Sequence, residues 1–330
     1  MAGGAGYIGS HTVKALNDAG YRPVVLDNLS SGSRHAVRWG EFVHGDIRDL
    51  RVLREVMTTF NIDAVIHFAS LIEVGRSVVR PDLFYDCNVG GTASLLRAMA
   101  DCGVGRLVFS STAAVYGHGD GEALKETSPK DPVSPYGDTK LACERMIASH
   151  AKAFGLSAIA LRYFNAAGAD PGGLIGEAHD PETHLIPLAI EAALGGGKPL
   201  TVFGADFPTP DGTCLRDYIH VTDLASAHIA ALQAAGSFGP FDAINVGVGR
   251  GWSVFEVMAA VERALDRPVP HQLGQRREGD PAILVADPSR AHEQLRWTAQ
   301  HSSLDHIVET AVRWRLGAEY KLTRDIFERA

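Results

Sequence analysis

Gly3, Gly6 and Gly9 recur at every third position in the opening run GGAGYIG, and no other stretch restricts the fold as much. Glycine at this spacing allows a tight turn, a close approach of backbone to an anion, and close packing of a helix on a strand. A helix expected from near Ile8 would aim its free amides at a phosphate. The run VVLD follows, and its Asp27 stands about twenty residues beyond the loop, where a carboxylate can bond an adenosine ribose. Together these features select a dinucleotide. Asp27 would repel a 2′-phosphate, so the reading is NAD rather than NADP.

Apolar runs alternate with helical stretches through the first half. RPVVLD, GEFVHGD, DAVIHFAS, GRLVFSST and LSAIALRYFN read as strands, with long amphipathic stretches over 83–101 and 136–153. Near-continuous apolar strands separated by helices imply an α/β fold, a Rossmann-type doubly wound parallel sheet covered on both faces. After Asn165 the chain turns to loops rich in Gly and Pro with shorter helices. The expected division is a nucleotide-binding domain over 1–166 and a smaller α/β substrate domain over 167–330, with the segment near 217–247 able to return to the first sheet. Such a sheet needs a strand immediately before Gly3, between the strands ending at Asp27 and Ser70, yet only Met1 and Ala2 stand there. The first strand is therefore read as truncated. The natural start is expected several codons upstream, with Met1 in the place of that strand's last valine.

Composition narrows the function. The 330 residues carry a net charge of −8, from 31 basic and 39 acidic side chains. That balance disfavours nucleic acid and anionic membranes as partners but permits a local basic pocket for a phosphorylated ligand. There is no apolar run of membrane-spanning length and no signal segment, and Cys87, Cys102, Cys143 and Cys214 have neither CxxC nor disulfide-framework spacing. A cytoplasmic protein with reduced thiols is expected. The 14 histidines show no HExxH spacing, so no metal site is expected.

The candidate catalytic pair lies in SPYGDTKLACE. Tyr136 and Lys140 are four residues apart, on one face of the expected helix. That helix follows LVFSSTAAVYG, at the carboxyl end of a parallel strand, where open sheets bind their ligands. A Lys ammonium and a cationic nicotinamide ring would draw the phenol pKa down from about 10 and make Tyr136 a general base for an alcohol. Thr112 is placed to bond the same hydroxyl.

At these residues the chain resembles the extended short-chain dehydrogenase/reductase family, and within it the UDP-glucose 4-epimerase family. GGAGYIGSHT, LDNLSSGSR, GDIRD, VIHFAS, SSTAAVYG, PYGDTK, LRYFNAAGA, VFGADFPTPDGTCLRDYIHVTDLA and RREGDPA carry the resemblance, which runs to about Trp297. It implies a tightly held NAD regenerated in each turnover. Tyr136 would take the proton of the sugar 4-hydroxyl as the C4 hydride leaves. The 4-keto sugar would then turn over about its phosphate link, and the hydride would return to the opposite face. Among cofactor contacts it implies Tyr7, Ile8 and Asn28 beside the glycine loop, and Asp46 and Ile47 at adenine. Phe68, Ala69, Ser70 and Asn88 would line the cleft, with Phe164 near the nicotinamide. On the substrate side Tyr163, Asn165, Leu185, Thr201, Val202 and Phe203 would meet uridine or sugar. Arg216 and Arg277 would hold the diphosphate and Asp280 the uridine ribose, with Leu284 as the residue that sets pocket size. Homodimers are implied too, through a four-helix bundle of the 83–101 and 136–153 stretches.

Three positions depart from the family pattern: Ile72 where a lysine is common, Cys87 ahead of Asn88 where two asparagines are common, and His184 ahead of Leu185. Ala113 and Ala114 occupy the places where dehydratases and decarboxylases need acids, which argues against elimination and decarboxylation. Epimerases of UDP-N-acetylglucosamine, UDP-xylose or UDP-glucuronate stay open, because their chemistry is identical. A non-catalytic NAD sensor on the same fold would have no need of the Tyr–Lys pair.

Overall fold

The computed structural model describes residues 1–119, 121–277 and 279–327. Its main sheet is parallel throughout. β1 (Val24–Asp27) pairs with β2 (Glu41–His44), while β3 (Val65–His67), β4 (Arg106–Thr112) and β5 (Ser157–Tyr163) run side by side. Ala2 bridges Leu26 of β1 and His67 of β3, joining the two halves. The amides of Ala2 and Gly3 donate to Ile66 and Leu26, and the carbonyls of Met1 and Ala2 accept from Leu26 and Phe68. Residues 1–3 thus lie in the central position that the fold demands of its first strand, hydrogen-bonded on both sides.

The strands form because their residues alternate between two apolar layers. Leu107, Phe109, Ala158 and Ala160 face one layer, with α2 (Leu50–Thr59), α5 (Gly91–Cys102) and α6 (Pro135–Phe154). Ile66, Val108, Ile159 and Leu161 face the other, with Leu16 of α1 (Tyr7–Asp18). The stretch expected as one helix over 83–101 begins after α3 (Val74–Val79). It consists of α4 (Pro81–Phe84), a π-helical turn over Tyr85–Gly90, and α5. π-turns of this kind gather at functional positions, and this one carries Asn88.

β6 (Asn165–Ala167) leaves the sheet to pair with β9 (Tyr218–His220). Between them α7 (Leu185–Ala193), β7 (Leu200–Phe203) and β8 (Leu215–Arg216) build the second lobe. From β9 the chain returns. α8 (Val221–Ala234) packs its Leu224, Ala227 and Ala231 into the layer holding Leu16, and β10 (Phe241–Val246) pairs with β5 along its whole length. The strand order is therefore β2, β1, residues 1–3, β3, β4, β5, β10. The second lobe resumes with β11 (Trp252–Ser253), α9 (Val254–Leu265), β12 (His271–Gly274) and β13 (Ile283–Leu284). α10 (Ser289–Leu295) packs on the first lobe, whereas α11 (Leu304–Leu316) joins α7 and α9 in the second core, and α12 (Ala318–Phe327) follows. Among the described residues no helix is long and apolar enough to cross a membrane.

Candidate active site

α1 starts directly after Gly6, its N-cap, which offers no capping side chain. The amide end of the helix is thereby left open to a ligand. Two of the three glycines are required by the protein itself. A Cβ on Gly3, which has φ +80°, would sit 2.4 Å from the Ala69 nitrogen, and one on Gly9 would sit 2.2 Å from the Gly3 oxygen. A Cβ on Gly6 would meet nothing nearer than 3.6 Å, so the open side of the loop is at Gly6. Asp27 ends β1 beside it, fixed by the amides of Ala5 and Leu29, each 2.9 Å from a carboxylate oxygen. An uncapped helix start, a close-packed glycine turn and a positioned acid fit the diphosphate and ribose of NAD.

The other expected cofactor residues surround this loop. Asn28 donates to Asp46 at 2.9 Å, and Arg48 grips the same carboxylate from Nε and Nη2 and holds it well below the usual range. Ile47 packs against Gly91, where a Cβ would lie 2.6 Å from its methyl. The amides of Phe68 and Ala69 both donate to Ala2, and Ser70 follows at the carboxyl end of β3. Asn88 locks this cleft wall. Its side chain accepts from the Leu71 amide, and donates to the Leu71 carbonyl and to Thr139 of α6. Tyr7 donates to the Gly168 carbonyl at 2.7 Å, tying Ile8 and the start of α1 to the second lobe.

Tyr136 and Lys140 project from the first turns of α6, which Ser134 caps by accepting from the Gly137 amide and which Pro135 opens. Thr112, last residue of β4, lies near enough to the Tyr136 hydroxyl to favour its phenolate, against the larger effect of burial. Lys140 is buried, donates to the Ser110 carbonyl at 2.9 Å, and lies 5.9 Å from the Tyr136 ring centre. Burial opposes the lowered phenol pKa expected with the cofactor bound. In the protein alone it pushes Tyr136 up to about 12 and Lys140 down to about 8. A positive nicotinamide ring, when bound, would add a downward pull on the phenol. Tyr163, at the end of β5, shares a short hydrogen bond with Ser110.

A buried network under the pair was not foreseen. Glu144, one turn beyond Lys140, accepts from Ser111 and from Arg162 of β5. Arg162 in turn donates to the Tyr116 hydroxyl, which donates to Asn245 of β10. The signal was present as an arginine inside the apolar strand SAIALRY, a residue type that is seldom buried without a partner.

Several of the expected substrate residues are paired with one another in the second lobe. Leu284 of β13 is in register with Arg216 of β8, and Arg216 makes a short ion pair with Asp280. The Arg277 guanidinium stacks over the Phe203 ring at 4.1 Å. Phe164 and Leu284 pack on one apolar cluster with Tyr116 and Leu124. Asn165 donates its amide to the Asp217 carbonyl, and Leu185 opens α7 immediately after His184. Thr201 and Phe203 share one side of β7. Val202 points the other way, fully into the second core, so only its backbone is available to a ligand.

Fold and site together define an α/β enzyme of the nicotinamide-dependent kind, with a glycine-rich loop open at a helix start. The chain belongs to the NAD dependent epimerase/dehydratase family, whose model matches residues 1–247. It is 49% identical to the UDP-glucose 4-epimerase of Rhizobium leguminosarum bv. trifolii over 95% of this chain and 96% of that one. It is 47% identical to that of Halalkalibacterium halodurans, covering 95% and 94%. The crystal structure of UDP-glucose 4-epimerase from Brucella ovis in complex with NAD superposes with a TM-score of 0.92 at 50% identity, covering 94% of this chain and 96% of that one.

Proposed function

We propose that this chain interconverts UDP-glucose and UDP-galactose by transient oxidation at C4 of the sugar. The observation that carries the reading is the half-buried Tyr136 with Lys140 5.9 Å from its ring centre, together with Ala113 and Ala114 directly after Thr112, where elimination would need an acid. NAD, when bound, supplies the hydride acceptor and returns the hydride. Tyr136 takes the C4 hydroxyl proton and gives it back, with Thr112 orienting that hydroxyl and Lys140 favouring the phenolate. Arg216 and Arg277 offer the forked donors that a diphosphate requires inside an acidic protein, and Asp280, already beside Arg216, is placed for the uridine ribose.

The names of the relatives support the UDP-glucose reading, and Leu284, of intermediate size, supports some turnover of the N-acetylated sugar. The working unit is read as a cytoplasmic homodimer. α3 and the turn after α4 expose Val78, Val79 and Tyr85, apolar surface that a second copy would cover. The test is to incubate the purified protein with UDP-galactose, without added NAD, and resolve the products. UDP-glucose is the expected product; a 4-keto-6-deoxy sugar with no epimer would overturn the assignment.

A further inference from the structure

The stretch GEAHDPETH, to which the proposed reaction gives no role, repeats a Glu-x-His pattern: Glu177 with His179, then Glu182 with His184. The spacing differs from HExxH. The fold brings all four side chains to one point. His184 Nδ1 lies 2.7 Å from Glu177 Oε1 and 3.0 Å from Glu182 Oε1, and His179 Nδ1 lies 3.0 Å from the same Glu177 oxygen. One ligand atom from each of the four lies within 4.8 Å of all the others. Among the described residues, the ion pairs of Glu177 and Glu182 are to these histidines and to no lysine or arginine. Arg324 of α12 approaches Asp180 instead. Two carboxylates, one of them buried, are thus held together without a permanent cation.

We propose that Glu177, His179, Glu182 and His184 bind a first-row divalent metal ion, with zinc the best match, in a site that staples the 176–184 segment over the phosphate loop. Two imidazole nitrogens and two carboxylate oxygens form a donor set suited to zinc, which takes four such ligands at about 2.0–2.2 Å. A tetrahedron of that size separates its donors by about 3.3–3.6 Å. The close pairs need to open by about half an ångström and the wider ones to close by at most about 1.5 Å. The backbone is already fixed for this. The Trp314 indole donates to the Glu177 carbonyl at 2.7 Å, Arg324 donates to the His179 carbonyl, and Glu182 Oε1 is held by the amides of Thr183 and His184. His184, 42% exposed, leaves a way in for the ion. The His179 ring meets the edge of Tyr7, 6.2 Å between centres, so the site is one aromatic ring away from the start of α1.

The other occupant of such a cluster is a proton shared between imidazole and carboxylate, and a metal titration separates the two. Chelator-treated full-length protein is titrated with Co²⁺, followed by visible absorption, and then with Zn²⁺. The expected result is one equivalent of Co²⁺ with the intense bands of a four-coordinate ion, bleached by Zn²⁺, and a rise in Tm on Zn²⁺ addition. His184→Gln and Glu182→Gln, both toward the rim, should weaken uptake at least tenfold while retaining the far-UV circular dichroism of the parent. Absence of stoichiometric uptake at tens of micromolar free metal would overturn the proposal, leaving the proton as occupant. So would uptake that neither substitution weakens, which would place the ion elsewhere. Neither readout depends on turnover of any sugar nucleotide.

Discussion

Tyr136 and Lys140 share one helix face, and burial favours the neutral form of each. The phenolate that the reaction needs is therefore stabilised by whatever positive charge stands beside it. Replacing Tyr136 by Phe deletes the base and leaves the glycine loop untouched. The kcat is expected to fall by about 10²–10⁴-fold, with the bound NAD released on denaturation unchanged in amount. Lys140→Met removes a positive neighbour and raises the phenol pKa further, so the acidic limb of the pH–rate profile should move to higher pH. A profile that stays in place would take Lys140 out of the proton transfer. Glu144→Ala would act on stability instead. It strands the Arg162 guanidinium, 4% exposed, without its carboxylate, a loss of about 3–5 kcal/mol that denaturant unfolding would measure. A residual activity per folded molecule near that of the parent would confine Glu144 to holding the helix in place.

At the scale of elements, the glycine loop with α1 and the start of α6 was legible because each is written in consecutive residues. A turn, a cap and an i, i+4 pair are local chemistry. Gly9→Ala tests the first of these: its methyl would lie against the Gly3 carbonyl, and the purified variant is expected to carry little or no NAD. What was not legible depends on distant strands meeting. The Arg216–Asp280 pair spans 64 residues and arises only because β8 and β13 lie side by side. The arginine and the aspartate could be assigned separate ligand roles from sequence, but not their contact. The inward turn of Val202 was equally hidden, since β7 is short and period two has little room to show itself. The π-turn at Tyr85–Gly90 gives no composition signal, yet it falls where Asn88 reaches both the cleft wall and α6. Leu284 on β13 carries the substrate-size prediction. Steady-state kinetics should find measurable turnover of UDP-N-acetylgalactosamine beside that of UDP-galactose, and none at all would contradict the role given to this leucine.

For the whole molecule, light scattering at micromolar concentration should report twice the mass of one 35.3 kDa chain; the mass of a single chain would leave Val78 and Val79 without the cover proposed for them. The sheet itself is sewn from both ends of the sequence. Its edge strand β10 and the helix α8 over its face come from beyond residue 217, after the chain has already built part of the second lobe. A gene fragment ending at residue 166 would therefore not encode a portable nucleotide-binding module. It would display β5, with its run AIAL, as a bare apolar edge open to pairing with its own copies. Such a fragment should collect in inclusion bodies, whereas supplying residues 167–330 in trans would be needed to close that edge. Recombination between relatives within the first lobe is constrained in the same way. A crossover that exchanges β5 without β10 and α8 would mismatch a shared layer 80 or so positions away, about the separation of Ala158 and Phe241 in their ladder.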